Sequence, residues 1–173
     1  NILGSRAVTR KDGLVIDVFY VEDGNGGVVN DTKTRRRCEE SIRAFLLEES
    51  SPDKLISEKR RKTDSSRLFA TEDKLGAKIP PRVDVYRDVS LGRTIVEVRA
   101  ADRVGLLHLI AKTIAGCGFS ILFARVATEQ GVATDVFNIE RASDDADFSP
   151  SRFLELREQI SIALNEGKYY HEV

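Results

Sequence analysis

One phrase occurs twice in this chain, and the duplication limits what it can fold into. ILGSRAVTRKDGLVIDVFYVE, from Ile2 to Glu22, returns as ILFARVATEQGVATDVFNIE, from Ile121 to Glu140. Ile2 matches Ile121, Leu3 matches Leu122, Arg6 matches Arg125 and Thr9 matches Thr128. After a one-residue gap, Gly13 matches Gly131, Asp17 matches Asp135, Val18 matches Val136, Phe19 matches Phe137 and Glu22 matches Glu140. A gap that falls at a turn marks a structural repeat. Each copy reads as two β-rich runs around a glycine-containing turn, the pattern of a β-hairpin. Alternation puts Leu122, Ala124, Val126 and Thr128 on one side, and Ala133, Asp135, Phe137 and Ile139 on one side of the partner strand. In the first copy the reverse face, Leu14, Ile16, Val18 and Tyr20, is apolar as well, which predicts packing on both sides of that hairpin.

Helices are expected after each hairpin. Ser149-Pro150 supplies a capping oxygen and a first-turn proline, and Phe153, Leu156, Ile160 and Leu164 follow at helical spacing until Gly167. Cys38, Ile42, Phe45 and Leu46 offer the same stripe in the first copy. Before the second hairpin, Thr94 to Arg99 reads as a strand and Val104 to Ala115 as a helix with Leu107, Ile110, Ala111 and Ile114 inward; the helix leaves through Gly116-Cys117-Gly118. With Tyr169 to Val173 as a last edge strand the order is βαββαβ, an α+β, ferredoxin-like antiparallel sheet with helices on one face. The first copy has a hairpin, a helix and a closing strand at Arg82 to Arg87, but no opening strand or helix. The expected division is therefore a first, incomplete repeat over 1–89, with a polar insertion at about 50–81, and a second, complete one over 92–173. Within the insertion Ser51-Pro52 predicts a short helix through Lys62.

Hydrophobic residues at 41% and charged residues at 32% suit a water-soluble globular chain, and no apolar run reaches the ~18 residues of a membrane span. A net charge of -1 gives no general attraction to nucleic acid or membrane. Local basic runs at Thr34 to Arg37 and Glu58 to Lys62 read as solvated helix faces. Cys38 and Cys117 have neither paired nor metal-ligand spacing, which predicts free thiols, a cytoplasmic setting and no metal. His108 and His171 fit no catalytic spacing, no phosphate-binding glycine loop occurs, and no cofactor is implied. The sheet lacks the basic-glycine-aromatic motif of RNA-recognition domains. The chain opens on Asn and contains no Met, so further sequence upstream of Asn1 is expected.

Asp102-Arg103-Val104-Gly105-Leu106-Leu107, followed by Thr128 and by Asp135-Val136-Phe137, resembles the ACT domain family. Within it the chain is similar to the paired ACT repeats of bifunctional PII uridylyltransferase/uridylyl-removing enzymes. The resemblance covers Asn1 to Glu49 and Arg82 to Leu164. It implies a regulatory unit that binds a small amino acid, with glutamine favoured, and that controls chemistry elsewhere in a nitrogen-signalling enzyme. Implied partners are upstream catalytic domains, the PII signalling protein, and a second ACT unit in a pair or homodimer. A stand-alone pairing module, or a sensor of another small ligand, is the alternative.

The residues themselves allow such a site. Asp102 can cap the helix while amides near Val104 to Leu106 face outward with partial positive charge, a place for a carboxylate. Gly105 lets a ligand approach the backbone. Arg103 belongs to the same loop, and Ile121 and Phe123 are candidates on an adjacent strand. A plain helix cap and close helix–strand packing would use the same residues. The repeated Asp17 and Asp135 are expected to bond across strands to Thr9 and Thr128.

Overall fold

A computed structural model describes residues 2–10, 12–23, 25–47, 51–67, 79–90, 92–142 and 149–169. The described chain forms two compact units, Val21–Asp73, and Ile2–Tyr20 together with Lys74–Val173.

In the smaller unit, Asp31 caps helix α1 (Thr32–Leu46), its carboxylate accepting from the N–H groups of Lys33 and Thr34 at 3.1 and 2.9 Å. These bonds to the charged form hold the Asp31 carboxyl below its ordinary range, the Thr34 hydroxyl acting most strongly. α1 carries the expected stripe, yet none of its residues is buried, so Ile42, Phe45 and Leu46 do not serve as core among the described residues. The predicted helix after Ser51 is α2 (Pro52–Arg67), longer than expected. Residues 68–78 of the insertion lie outside the described residues.

The larger unit is built on one six-stranded sheet. Its strands are β1 (Ile2–Thr9), β2 (Val15–Val21), β3 (Arg82–Asp88), β4 (Arg93–Ala101), β5 (Phe119–Glu129) and β6 (Val132–Arg141), ordered β2-β1-β5-β6-β4-β3. β1 pairs with β5, β3 with β4, β4 with β6 and β5 with β6, all antiparallel. Both duplicated hairpins thus share a single sheet. At the β5–β6 turn Gln130 and Gly131 have φ of 50° and 75°, the left-handed pair that matches the twist of a tight hairpin.

Helices α3 (Leu106–Gly116) and α4 (Pro150–Tyr169) pack against each other and on one face of this sheet. Ile110 and Ile114 of α3 and Leu156, Ile160 and Leu164 of α4 join Val96 and Val98 of β4 and Phe137 and Ile139 of β6 in one core. These are the stripes that the spacing predicted. Gly118, at φ 82°, donates its N–H to the Ala115 carbonyl and ends α3 as a glycine should.

The structure differs from expectation at several places. α3 begins at Leu106 rather than Val104, and its N-cap is Gly105, with no side-chain cap bond from Asp102. A bulge between Ile121 and Phe123 shifts the β5 register, so Ile121 pairs with Ile139 and packs on the core in the place expected for Leu122. Tyr169 ends α4 rather than opening a strand, and residues 170–173 lie outside the described residues. The edge place beside β4 is filled by β3, the strand that precedes it in sequence, because β3 and β4 form a hairpin in continuous register from Arg82↔Arg99 to Asp88↔Arg93. β2, whose covering was expected from a second sheet or subunit, stands at the opposite edge with all seven residues exposed in the single chain.

Candidate functional site

The loop from Asp102 to Gly105 joins the end of β4 to α3, and three bonds set its shape. The Asp102 N–H donates to the Gly131 carbonyl at 2.8 Å, tying the loop to the β5–β6 turn. The Leu106 N–H donates to the Arg103 carbonyl at 3.1 Å, a tight turn completed by Gly105 at φ 81°. The Arg103 guanidinium reaches the Leu164 carbonyl at 3.1 Å and links the loop to α4. Asp102 is exposed, Val104 and Gly105 are half-buried, and the Leu106 side chain lies in the core. Leu106 therefore offers packing and a spent amide instead of the outward donor expected of it.

Ile121 and Phe123 do not join this loop. They flank the bulge on opposite faces, Ile121 in the core and Phe123 beneath the Arg6 guanidinium, 5.6 Å from the ring centre. Ile121 and Phe123 pair with Ile139 and Asn138, which in turn face Thr94 and Ile95 near the start of β4. Asp102 follows the end of that strand, so at ~3.4 Å per residue the two regions are more than about 20 Å apart along it. At the same end of the sheet β1 of the first copy is separated from β4 by β5 and β6. Gly4 pairs with Ala127 and Ser5 with Val126, close to the β5–β6 turn. Ile2 and Gly4 are the repeat partners of Ile121 and Phe123.

The residue that sequence reasoning set aside is Asp135. Ser5, Val126, Asp135 and Val98 form one row across the helix-covered face of β1, β5, β6 and β4. Asp135 is 1% exposed, and its Oδ1 has no hydrogen-bond partner among the described residues. The expected bond from Thr128 is not made; the Ala127 N–H is the group that favours the ionised carboxylate. Burial, and secondarily the negative charge of Asp102, push the Asp135 carboxyl up to about 7. A carboxyl in such surroundings can accept from, or donate to, a polar group brought to it near neutral pH.

No family model matches the chain, and no solved structure matches it. Curated proteins do. The bifunctional uridylyltransferase/uridylyl-removing enzyme of Caulobacter vibrioides (strain NA1000 / CB15N) is 29% identical over 170 residues, 97% of this chain and 17% of that protein. The protein of the same name from Phenylobacterium zucineum is 31% identical over 141 residues, covering 80% of this chain and 14% of its own length. That of Gluconobacter oxydans is 27% identical over 167 residues, 96% and 17% of the two chains. This chain is, over nearly its whole length, homologous to one stretch of the bifunctional uridylyltransferase/uridylyl-removing enzymes and spans only 14% to 17% of the length of these three relatives.

Proposed function

We propose that this chain is an amino-acid-sensing regulatory region, with glutamine as its ligand, belonging to a bifunctional uridylyltransferase/uridylyl-removing enzyme that modifies the PII protein in nitrogen signalling. In this reading the chain holds two ACT-like units, 1–89 and 92–173, and acts in the cytoplasm beside upstream catalytic domains. The supporting observation is the junction of the two copies. There the loop at Asp102 to Leu106, pinned by Gly131 and Leu164, brings the Asp102 charge to bear on the buried carboxyl of Asp135, in the row of the sheet that also holds Ser5 of the first copy's β1. A zwitterion placed at this junction would meet a compact backbone turn, the Asp102 carboxylate for its ammonium group, and polar groups for a side-chain amide.

Calorimetric titration of L-glutamine into the 173-residue protein tests the reading. Saturable heat is expected for the wild type. Gly105→Val should weaken binding at least ~10-fold, because holding a β-branched residue at φ 81° costs roughly 1–3 kcal/mol and distorts the turn. The absence of heat with glutamine and with every other protein amino acid would sink the proposal.

A second reading, a pairing module that binds no effector, is favoured by the amides of Asp102 and Leu106, which are already bonded within the protein. It expects Gly105→Val to lower the melting temperature while the wild type shows no glutamine-dependent shift in melting or in mass by light scattering.

A further inference from the structure

We propose that the face of the six-stranded sheet opposite α3 and α4 is a docking surface for a second copy of this chain, stacked face to face about a two-fold axis running along β6. The inference rests on strand order and register alone and is independent of the amino-acid reading above.

The central row of that face runs Arg6, Arg125, Val136, Glu97, Asp84 across β1, β5, β6, β4 and β3. The signs are positive, positive, neutral, negative, negative. A two-fold axis along β6 lays β5 over the partner's β4 and β1 over its β3. Each Arg125 then meets a Glu97, each Arg6 meets an Asp84, and the two Val136 side chains meet each other.

Within one chain the two arginines stand directly opposite each other, an arrangement that like charges disfavour. Both are exposed, and neither makes an ion pair among the described residues. Arg6 instead leans over the Phe123 ring. The carboxylates keep capacity for a second partner. Asp84 uses Oδ2 for Arg82 at 2.7 Å and Glu97 uses Oε1 for the Tyr86 hydroxyl at 2.8 Å, which leaves Asp84 Oδ1 and Glu97 Oε2.

The rows on either side obey the same symmetry. On one side Val8 falls over Tyr86, with Asn138 meeting its own copy. On the other side the small Gly4 and Ala127 fall over the long Arg82 and Arg99, with Thr134 at the centre. Apolar meets apolar, opposite charges meet, and short side chains leave room for long ones. A two-fold axis perpendicular to the strands would instead place Arg6 on Arg6 and Glu97 on Glu97. At ~4.8 Å per strand and ~3.4 Å per residue, five strands of about eight residues offer roughly 650 Å² per partner, near the ~800 Å² of a standard stable interface.

The test is the mass of the 173-residue protein by sedimentation equilibrium across micromolar concentrations. A concentration-dependent dimer is expected for the wild type. Arg125→Glu and Glu97→Arg should each weaken it about 100-fold, because symmetry breaks each pair twice and a close interfacial charge pair is worth ~1.5 kcal/mol or more. The double variant Arg125→Glu/Glu97→Arg should recover the dimer. Ala127→Arg, which leaves the Tyr86–Glu97 bond untouched, should abolish it by facing Arg99. All three positions lie on the face away from the core, and circular dichroism checks that each variant is folded. A wild type that stays monomeric, a dimer that survives both reversals, or a double variant that fails to recover would each overturn the proposal. So would a monomer that binds polyglutamate through Arg6 and Arg125, since the face would then serve a foreign acidic partner.

Discussion

Asp135→Asn is expected to make the protein more stable at pH 8 by roughly 2–3 kcal/mol while leaving it unchanged or slightly weaker at pH 5. In the folded chain burial, reinforced by Asp102, raises the Asp135 carboxyl from its ordinary 3.8 to about 7. Between these values the native state holds a proton that the unfolded chain has released. Stability therefore falls as pH rises through this window, by about 1.4 kcal/mol per unit of pKa difference and on the order of 4 kcal/mol in all. Asn cannot ionise, so it removes the slope. It can still take the Ala127 N–H through its carbonyl oxygen, but its buried amide protons need an acceptor, which offsets part of the gain by about 1 kcal/mol. Urea unfolding of both proteins from pH 5 to pH 8 reads the difference; parallel curves would show that Asp135 is ionised throughout the range.

Phe137→Ala should cost ~3–5 kcal/mol, whereas Phe19→Ala, the same change in the other copy of the phrase, should cost less than about 1 kcal/mol. Phe137 is 1% exposed, among the largest fully buried side chains in a core closed by α3 and α4. Phe19 occupies the matching position, yet it is 46% exposed on the edge strand β2. Truncation at Phe137 opens a cavity that two helices and three strands cannot collapse into; truncation at Phe19 removes a side chain that water already reaches. Denaturant midpoints of the two variants measure the contrast directly. Equal losses would mean that the first copy has a covered core after all.

Much of the architecture was legible because local chemistry decides it. Period-two alternation around Gly13 and Gly131 marked both hairpins, Ser149-Pro150 marked the start of α4, and the spacing of Ile110 and Ile114 marked the inward face of α3. Gly118 ends α3 where its freedom to adopt positive φ was needed. The loop at Asp102 to Leu106 was visible as a strand-to-helix turn containing glycine, but its hydrogen bonds were not, since the partners Gly131 and Leu164 are distant in sequence.

The sequence by itself determined most of the elements, most of the inward residues of the second copy, and the fact that one hairpin occurs twice. Tertiary structure alone decided where those hairpins went. Strand pairing is a contest among edges, and nothing local distinguishes β3 from a closing strand elsewhere or tells β1 to pair with β5 so that Arg6 meets Arg125. The same assembly set Ile121 and Phe123 at the far end of the sheet from Asp102. It also turned Asp135 from one polar letter in an apolar run into a buried carboxyl titrating near neutrality. Burial is a property of neighbours, and the sheet supplies those neighbours from every part of the chain that reaches it.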